Sequence, residues 1–388
     1  MRNTPDMIAH TMGRSNPTVQ SSVHVLASTP GITTARVAAI LAACALTTSL
    51  PAHAASTSEG TDCHRAAPEC FVSFSPAGEN GDLGYYTSQP KAGEQAPVAA
   101  LIALHGYPRD VTRTFDSAIK ATEKAGRMND TVVVAPLFQV ARSQASRCQS
   151  SGTPEARPSD ITWTCGSWMQ GGVGHFDKQA GPTSFAALDA LVDEVHRKYP
   201  SVKTITLFGF SAGAQTIQHY IGFSNPRASA EVRLRFIVSD PGSWLYFDSY
   251  RPHPPADPAA CPDVDKWKYG IEDMPANLGR SAAQARAHYA QAEVHYMQGE
   301  KDTGKGPGAY YKILDKSCAA QAQGPYRLER GLAYAEYDRK MIAPQKQRQV
   351  TVVPDCGHSV ACVLPSRQAR GVLFPDDTQA ESPARPSR

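Results

Sequence analysis

The stretch Val202-Lys203-Thr204-Ile205-Thr206-Leu207-Phe208, followed at once by Gly209-Phe210-Ser211-Ala212-Gly213, decides how this chain folds. Its first seven residues are rich in β-branched and apolar side chains, the composition of a buried strand. The glycines that bracket Ser211 allow a sharp turn from strand into helix. Such a turn lifts the serine hydroxyl above the sheet and aims backbone N–H groups at it, as a nucleophile elbow does. A Gly-rich turn can instead cradle a phosphate, but that loop carries a lysine next to its Ser/Thr, and none stands beside Ser211.

Working outward, the groups that would activate a serine follow in the order acid, then histidine. Val294-His295-Tyr296-Met297-Gln298-Gly299 reads as a late strand that runs into a loop carrying Asp302. Val350 to Val353 reads as another, followed by Pro354-Asp355-Cys356-Gly357-His358. A serine hydroxyl is a poor nucleophile near neutral pH, so His358 is needed as the base that takes its proton and the acid that protonates the leaving group. A carboxylate on the far side of the imidazole fixes its tautomer and stabilises the imidazolium. Asp302 is the candidate for this role. Asp240, which ends Ile237-Val238-Ser239, and Asp355, close to His358 in the chain, are its rivals. Asp240 reads better as a structural carboxylate at a strand end, and Asp355 lies too near the base in sequence to face it easily.

With these residues in place, the chain from about Val98 to Phe374 resembles the α/β-hydrolase superfamily. Within it, the chain is similar to secreted bacterial and fungal esterase-like proteins related to polyhydroxybutyrate depolymerases and feruloyl esterases. Further stretches carry the resemblance: Thr183 to Asp189, Asp240 to Tyr246, Trp267 to Ile271, and a closing helix from Ser366 to Phe374. It implies an α/β fold with a mostly parallel central sheet, helices on both faces and loop insertions near the active site. It also implies a triad of Ser211, His358 and Asp302, with oxyanion-hole N–H groups from Tyr107 and Ala212. Tyr107 belongs to His105-Gly106-Tyr107-Pro108, which ends the strand pattern Ala100 to Leu104. The implied reaction is ester cleavage through an acyl-enzyme, with no cofactor and no metal. An amidase or peptidase using the same triad is the alternative, and so is a binding protein that keeps the fold without turnover.

Strand and helix signals alternate on both sides of the elbow, as a parallel sheet requires. Helices are predicted over Thr114 to Ala125 and Ser184 to Tyr199, and strands over Thr131 to Pro136 and Arg235 to Val238. Phe71 to Phe74 and Leu83 to Tyr86 read as leading antiparallel strands. Two long stretches interrupt the pattern, Gln139 to Pro182 and Ser249 to Pro262. Loops of that length in compact domains are usually functional or disordered. Their position would let both overhang Ser211. Trp163 and Trp168 in the first of them are candidate substrate-binding residues, as are Trp244, in the stretch Asp240 to Tyr246, and His105 at the strand end. Packing of these aromatics onto the domain is the competing expectation.

The N-terminal region reads as an address. Arg36 precedes an Ala-rich apolar run from Val37 to Leu50, and Pro51-Ala52-His53-Ala54 ends in a small-x-small cleavage site. Residues 1–54 are thus expected to be a signal peptide that is cleaved off, residues 55–374 a single catalytic domain, and residues 375–388 a disordered tail. An uncleaved N-terminal anchor is the alternative. Of nine cysteines, Cys44 lies in the leader. The remaining even set predicts disulfides in a secreted protein, periplasmic or extracellular. Connectivity stays open, with neighbour-to-neighbour pairing the economical choice. Clustered cysteines can also hold zinc, but there is no Cys-x-x-Cys.

Removing the leader takes away Arg2, Arg14, Arg36 and Asp6, which lowers the formal charge from +3 to +1. A near-neutral chain without Lys/Arg runs argues against nucleic acid and strongly anionic polymers as partners. It leaves a neutral or weakly charged ester, small or oligomeric, as the expected substrate, and no membrane span after cleavage.

Overall fold

The computed structural model describes residues 63–76, 81–88 and 96–375. The expected signal peptide and nearly all of the C-terminal tail lie outside the described residues.

Ten strands are formed among the described residues: β1 (Phe71–Phe74), β2 (Leu83–Thr87), β3 (Ala99–Leu104), β4 (Thr131–Leu137), β5 (Val173–Phe176), β6 (Gln179–Thr183), β7 (Thr204–Phe210), β8 (Arg233–Ser239), β9 (Glu293–Gly299) and β10 (Val350–Val353). Eight of them make one sheet in the order β1-β2-β4-β3-β7-β8-β9-β10, and β5 with β6 makes a separate hairpin. The two leading strands pair antiparallel, and β2 joins β4 antiparallel. Every other neighbour in the large sheet is parallel. The strand holding the Ser211 turn is therefore central, hydrogen-bonded to β3 on one side and β8 on the other.

Because both faces of the sheet are covered, β3 reads Ala-Ala-Leu-Ile-Ala-Leu with no polar alternation. Its residues still divide by face. Ala100, Ile102 and Leu104 join one core with Ile205 and Leu207, while Leu101 and Ala103 join the other with Phe208 and Phe210. Each of the buried Leu, Ile and Phe side chains contributes about 1.5–3 kcal/mol relative to exposure.

Helix α1 (Val111–Lys124) covers the second face through Val111, Phe115, Ala118 and Ile119. Helix α2 (Ser184–Lys198) covers the first through Leu188, Leu191, Val192 and Val195, the spacing of an amphipathic helix. Thr183 caps α2 by accepting from Ala186 N at 3.0 Å, and His196, Arg197 and Lys198 meet the negative end of its dipole. Helices α3 (Ala212–Phe223), α4 (Ala282–Gln291), α5 (Arg327–Tyr337) and α6 (Arg367–Leu373) complete the layers. Neither α4 nor α5 is among the helices expected from the sequence. The inward face of α5 buries Arg327 and Arg330 besides Tyr334, so the apolar pattern does not mark which side faces the core.

The eight described cysteines pair neighbour with neighbour: Cys63–Cys70, Cys148–Cys165, Cys261–Cys318 and Cys356–Cys362. Among the described residues no helix is long and apolar enough to cross a membrane.

Candidate active site

Parallel strands all end on the same edge, and the crevice outside their carboxyl ends is where such folds bind ligands. The loops after β3, β7, β9 and β10 meet on that edge, and they carry Tyr107, Ser211, Asp302 and His358. The turn at Ser211 is sterically enforced. Ser211 adopts φ 58°, ψ −118°, outside the regions open to an ordinary L-residue. A Cβ at Gly213 would sit 2.6 Å from the carbonyl oxygens of Leu104 and His105, and one at Gly209 would fall onto the carbonyl of Gly213. Both positions therefore need glycine. Ser211 N donates to Ser239 O at 3.0 Å, which ties the turn to β8.

His358 faces the serine, with Nε2 2.8 Å from Ser211 Oγ. Its Nδ1 lies 2.6 Å from Asp302 Oδ2. The imidazole is braced by Phe210, with ring centroids 4.7 Å apart. Its backbone N–H donates to Gly308 O at 2.9 Å, and the Cys356–Cys362 disulfide closes the loop around it. Burial, together with the positive charge of Arg327, holds His358 below the ordinary histidine value. It is therefore neutral and able to accept a proton.

The three acid candidates are now distinguished by position. Asp302 alone contacts the imidazole. Asp355 is exposed and paired with Lys301 at 2.6 Å. Asp240 is fully buried behind Asp302; its Oδ1 accepts from Gly299 N and its Oδ2 from Ser239 Oγ, both at 2.8 Å. Burial and the charge of Asp302 push Asp240 up to about 7, whereas Asp302 rises only to about 6. Burial drives that rise, and Arg327 and a hydrogen bond from Asp240 oppose it. Arg327 donates through one guanidinium nitrogen to Asp302 Oδ1 at 3.3 Å and to Ala309 O at 2.8 Å. The sequence offered no sign of this buried ion pair, because Arg327 is distant in the chain and sits on a helix the pattern did not show.

On the other side of the serine, Gly106 lies against Ser211, with a Cβ built there 3.7 Å from the serine Cβ. Neither Tyr107 N–H nor Ala212 N–H has an acceptor among the described residues. Ala212 is the first residue of α3, so its N–H points out of the helix end. The turn is held by Gly106 N donating to Asp110 Oδ1 at 2.9 Å, and by buried Arg109, which donates to the carbonyls of Phe138 at 2.6 Å and Thr164 at 2.9 Å.

The expectation that His105, Trp163, Trp168 and Trp244 contact substrate is corrected. All four are buried, at 0%, 2%, 0% and 0% exposure. His105 Nδ1 lies 2.8 Å from Gly106 O and its Nε2 accepts from Phe138 N at 3.2 Å, so it bolts the turn to the end of β4. Burial lowers its pKa to about 3. Trp168 stacks on Phe138 at 5.3 Å, and Trp163 meets the same ring edge-on at 5.2 Å. Trp244 stacks on Tyr334 at 4.4 Å. The loop from Gln139 to Pro182 thus packs behind the Tyr107 turn, because rings of this size stabilise the domain most when wholly out of water.

Among solved structures, poly(aspartic acid) hydrolase-1 from Sphingomonas sp. KT-1 superposes with a TM-score of 0.52 at 19% identity, over 78% of this chain and 97% of that one. The chain has the α/β-hydrolase fold. A poly(3-hydroxybutyrate) depolymerase from Bordetella parapertussis matches at 18% identity and TM-score 0.49, over 77% of this chain and 87% of that one. An esterase from Pyrococcus furiosus matches at 16% and 0.38, over 80% and 88%. No protein-family model matches the sequence, and no curated protein does. Within the hydrolase fold, the Ser211 turn occupies the end of the central strand, and Asp302 and His358 follow the last two strands of the sheet.

Proposed function

We propose that this protein is a serine hydrolase that cleaves a carboxylic ester through an acyl-enzyme. The observation that carries the proposal is the unbroken line from Ser211 Oγ to His358 Nε2 at 2.8 Å and from His358 Nδ1 to Asp302 Oδ2 at 2.6 Å. In this reading Ser211 Oγ attacks the ester carbonyl carbon while its proton passes to His358 Nε2. The N–H groups of Tyr107 and Ala212 receive the charge that builds on the carbonyl oxygen. As the carbon–oxygen bond breaks, His358 returns the proton to the departing alkoxide and the alcohol leaves. Water, deprotonated by the same imidazole, then releases the acid and restores Ser211. Asp302 keeps the Nδ1–H tautomer throughout.

Residues 1–54 serve as a leader removed on export to the periplasm or the extracellular space, and residues 55–374 as one catalytic domain. Four disulfides support that location, since such bonds persist in oxidising compartments. The test is hydrolysis of p-nitrophenyl esters from acetate to long acyl chains, with labelling by a serine-directed phosphonate. The protein is expected to hydrolyse the esters and take the label, and Ser211→Ala to do neither. Turnover of p-nitroanilides with no ester turnover would replace the esterase by an amidase. A folded protein that takes no label and cleaves neither would end the catalytic reading.

A further inference from the structure

Eight large hydrophobic side chains stand out as exposed among the described residues, and two of them, Tyr310 and Ile313, lie in the loop that supports His358. Tyr310 is 54% exposed and Ile313 60%. The Tyr310 ring centroid is 6.2 Å from that of His358, meeting it edge-on at 63°. Tyr310 also holds φ 46°, ψ 40°, a left-handed conformation that bulky residues seldom adopt. Strain of this kind persists where the surroundings over-determine it, and it concentrates at functional positions.

The surroundings here are specific. Gly308 O accepts from His358 N at 2.9 Å, and Ala309 O accepts from the buried Arg327 guanidinium at 2.8 Å. On the far side, the Tyr311 ring lies under the Lys305 and Lys316 ammonium groups at 5.3 and 4.9 Å, and Lys316 Nζ also donates to the carbonyl of Lys312 at 3.2 Å. The loop is thus fastened to the base and to the partner of the acid, and what it presents outward beside the imidazole is an aromatic ring with an aliphatic side chain three residues on.

The chemistry says which part of a substrate this ring meets. His358 Nε2 must reach the leaving oxygen to protonate it, so the alcohol half of the ester lies on the histidine side of Ser211. The acyl carbonyl lies on the opposite side, toward Tyr107 and Ala212. We infer that Tyr310, with Ile313 beyond it, forms the leaving-group subsite and selects esters whose alcohol portion is extended and apolar or aromatic. This inference rests on the serine-esterase reading and names the half of the substrate that reading leaves open. It also confines Tyr310 to the first half of the reaction: once the alcohol has departed, the acyl-enzyme has nothing left to lay against the ring.

The test uses methyl, benzyl and 2-phenylethyl esters of one acyl group, here butyrate, with the secreted protein and its Tyr310→Ala and Tyr310→Phe variants. The ratio of kcat/KM for benzyl over methyl butyrate is expected to fall about tenfold in Tyr310→Ala, the scale of one aromatic contact. Tyr310→Phe should restore it, because the ring and not the hydroxyl makes the contact. Across p-nitrophenyl esters of increasing acyl length, whose leaving group is fixed, Tyr310→Ala should keep the shape of the chain-length profile. An equal loss on methyl and benzyl esters, or a changed acyl profile, overturns the assignment while leaving the esterase intact. Absence of ester turnover and of phosphonate labelling in the wild type removes the esterase and this subsite with it.

Discussion

Replacing Asp302 by asparagine tests the arrangement behind His358 most directly, because Asp240 lies just behind it and bears the same functional group. In the proposed reaction the imidazole becomes an imidazolium during attack, with Asp302 Oδ2 2.6 Å from its Nδ1. Taking the two charges as roughly 4 Å apart between centres, at an effective dielectric of about 20, their attraction is about 4 kcal/mol. At about 1.4 kcal/mol per tenfold in rate, losing it slows the reaction about a thousandfold. An amide can also hold the imidazole in the wrong tautomer, which carries the loss toward about 10⁴-fold. Asp240→Asn behaves differently. Its oxygen can still accept from Gly299 N, and its NH₂ can donate to Asp302 as a protonated carboxyl would, so kcat should stay within about tenfold of wild type. The assay is kcat on a p-nitrophenyl ester at pH 7, corrected for active sites by phosphonate titration, with thermal melts to confirm folding. If Asp302→Asn keeps more than a tenth of the activity while Asp240→Asn loses a thousandfold, the acid has been misassigned.

Two further substitutions probe the buried groups. Arg327 depresses the pKa of both His358 and Asp302, so Arg327→Gln should raise both and move the acid limb of the kcat/KM profile to higher pH. A limb that stays in place or moves down would show that Arg327 does not tune the base. The same change leaves Asp302 buried and short of its partner, at a cost of about 3–5 kcal/mol in a urea melt. Trp168→Ala should cost about 3–5 kcal/mol of stability by emptying a packed site, with KM for short esters within about twofold at temperatures where the variant is folded. A tenfold rise in KM with an unchanged melting temperature would return Trp168 to the substrate pocket.

Much of this protein is legible in its sequence, and for identifiable reasons. Parallel strands buried on both faces must be apolar runs, so β3, β4 and β7 show themselves as Ala100 to Leu104, Thr131 to Pro136 and Val202 to Phe208, within two residues at most ends. The turn at Ser211 is visible because only glycine fits at Gly209 and Gly213. Asp302 and His358 could be named because groups that must meet at one edge of a parallel sheet follow strand ends, and chain order then fixes which is which. The pairing of the cysteines by neighbours also agrees with the structure, since close spacing in the chain keeps short loops short in space.

Contacts between residues far apart in the chain were decided by the tertiary structure alone. Trp163 and Trp168 read as a substrate wall because they sit in a long insertion, yet burying their whole surface against Phe138 outweighs leaving them at a cleft. Arg327 reaches Asp302 only because α5 folds back behind β9, and a charged side chain on its inner face is what an apolar pattern would assign to the solvent side. Tyr310 is an ordinary loop tyrosine in the sequence. The role inferred for it rests on a left-handed backbone and on the bonds of its neighbours Gly308 and Ala309 to His358 and Arg327, none of which a linear pattern encodes. The sequence by itself determined the strands and the strand-end positions of Ser211, Asp302 and His358, because both obey local or chain-order rules. Which buried charge faces which, and which rings stay in water, were settled only when the packed core chose among distant partners.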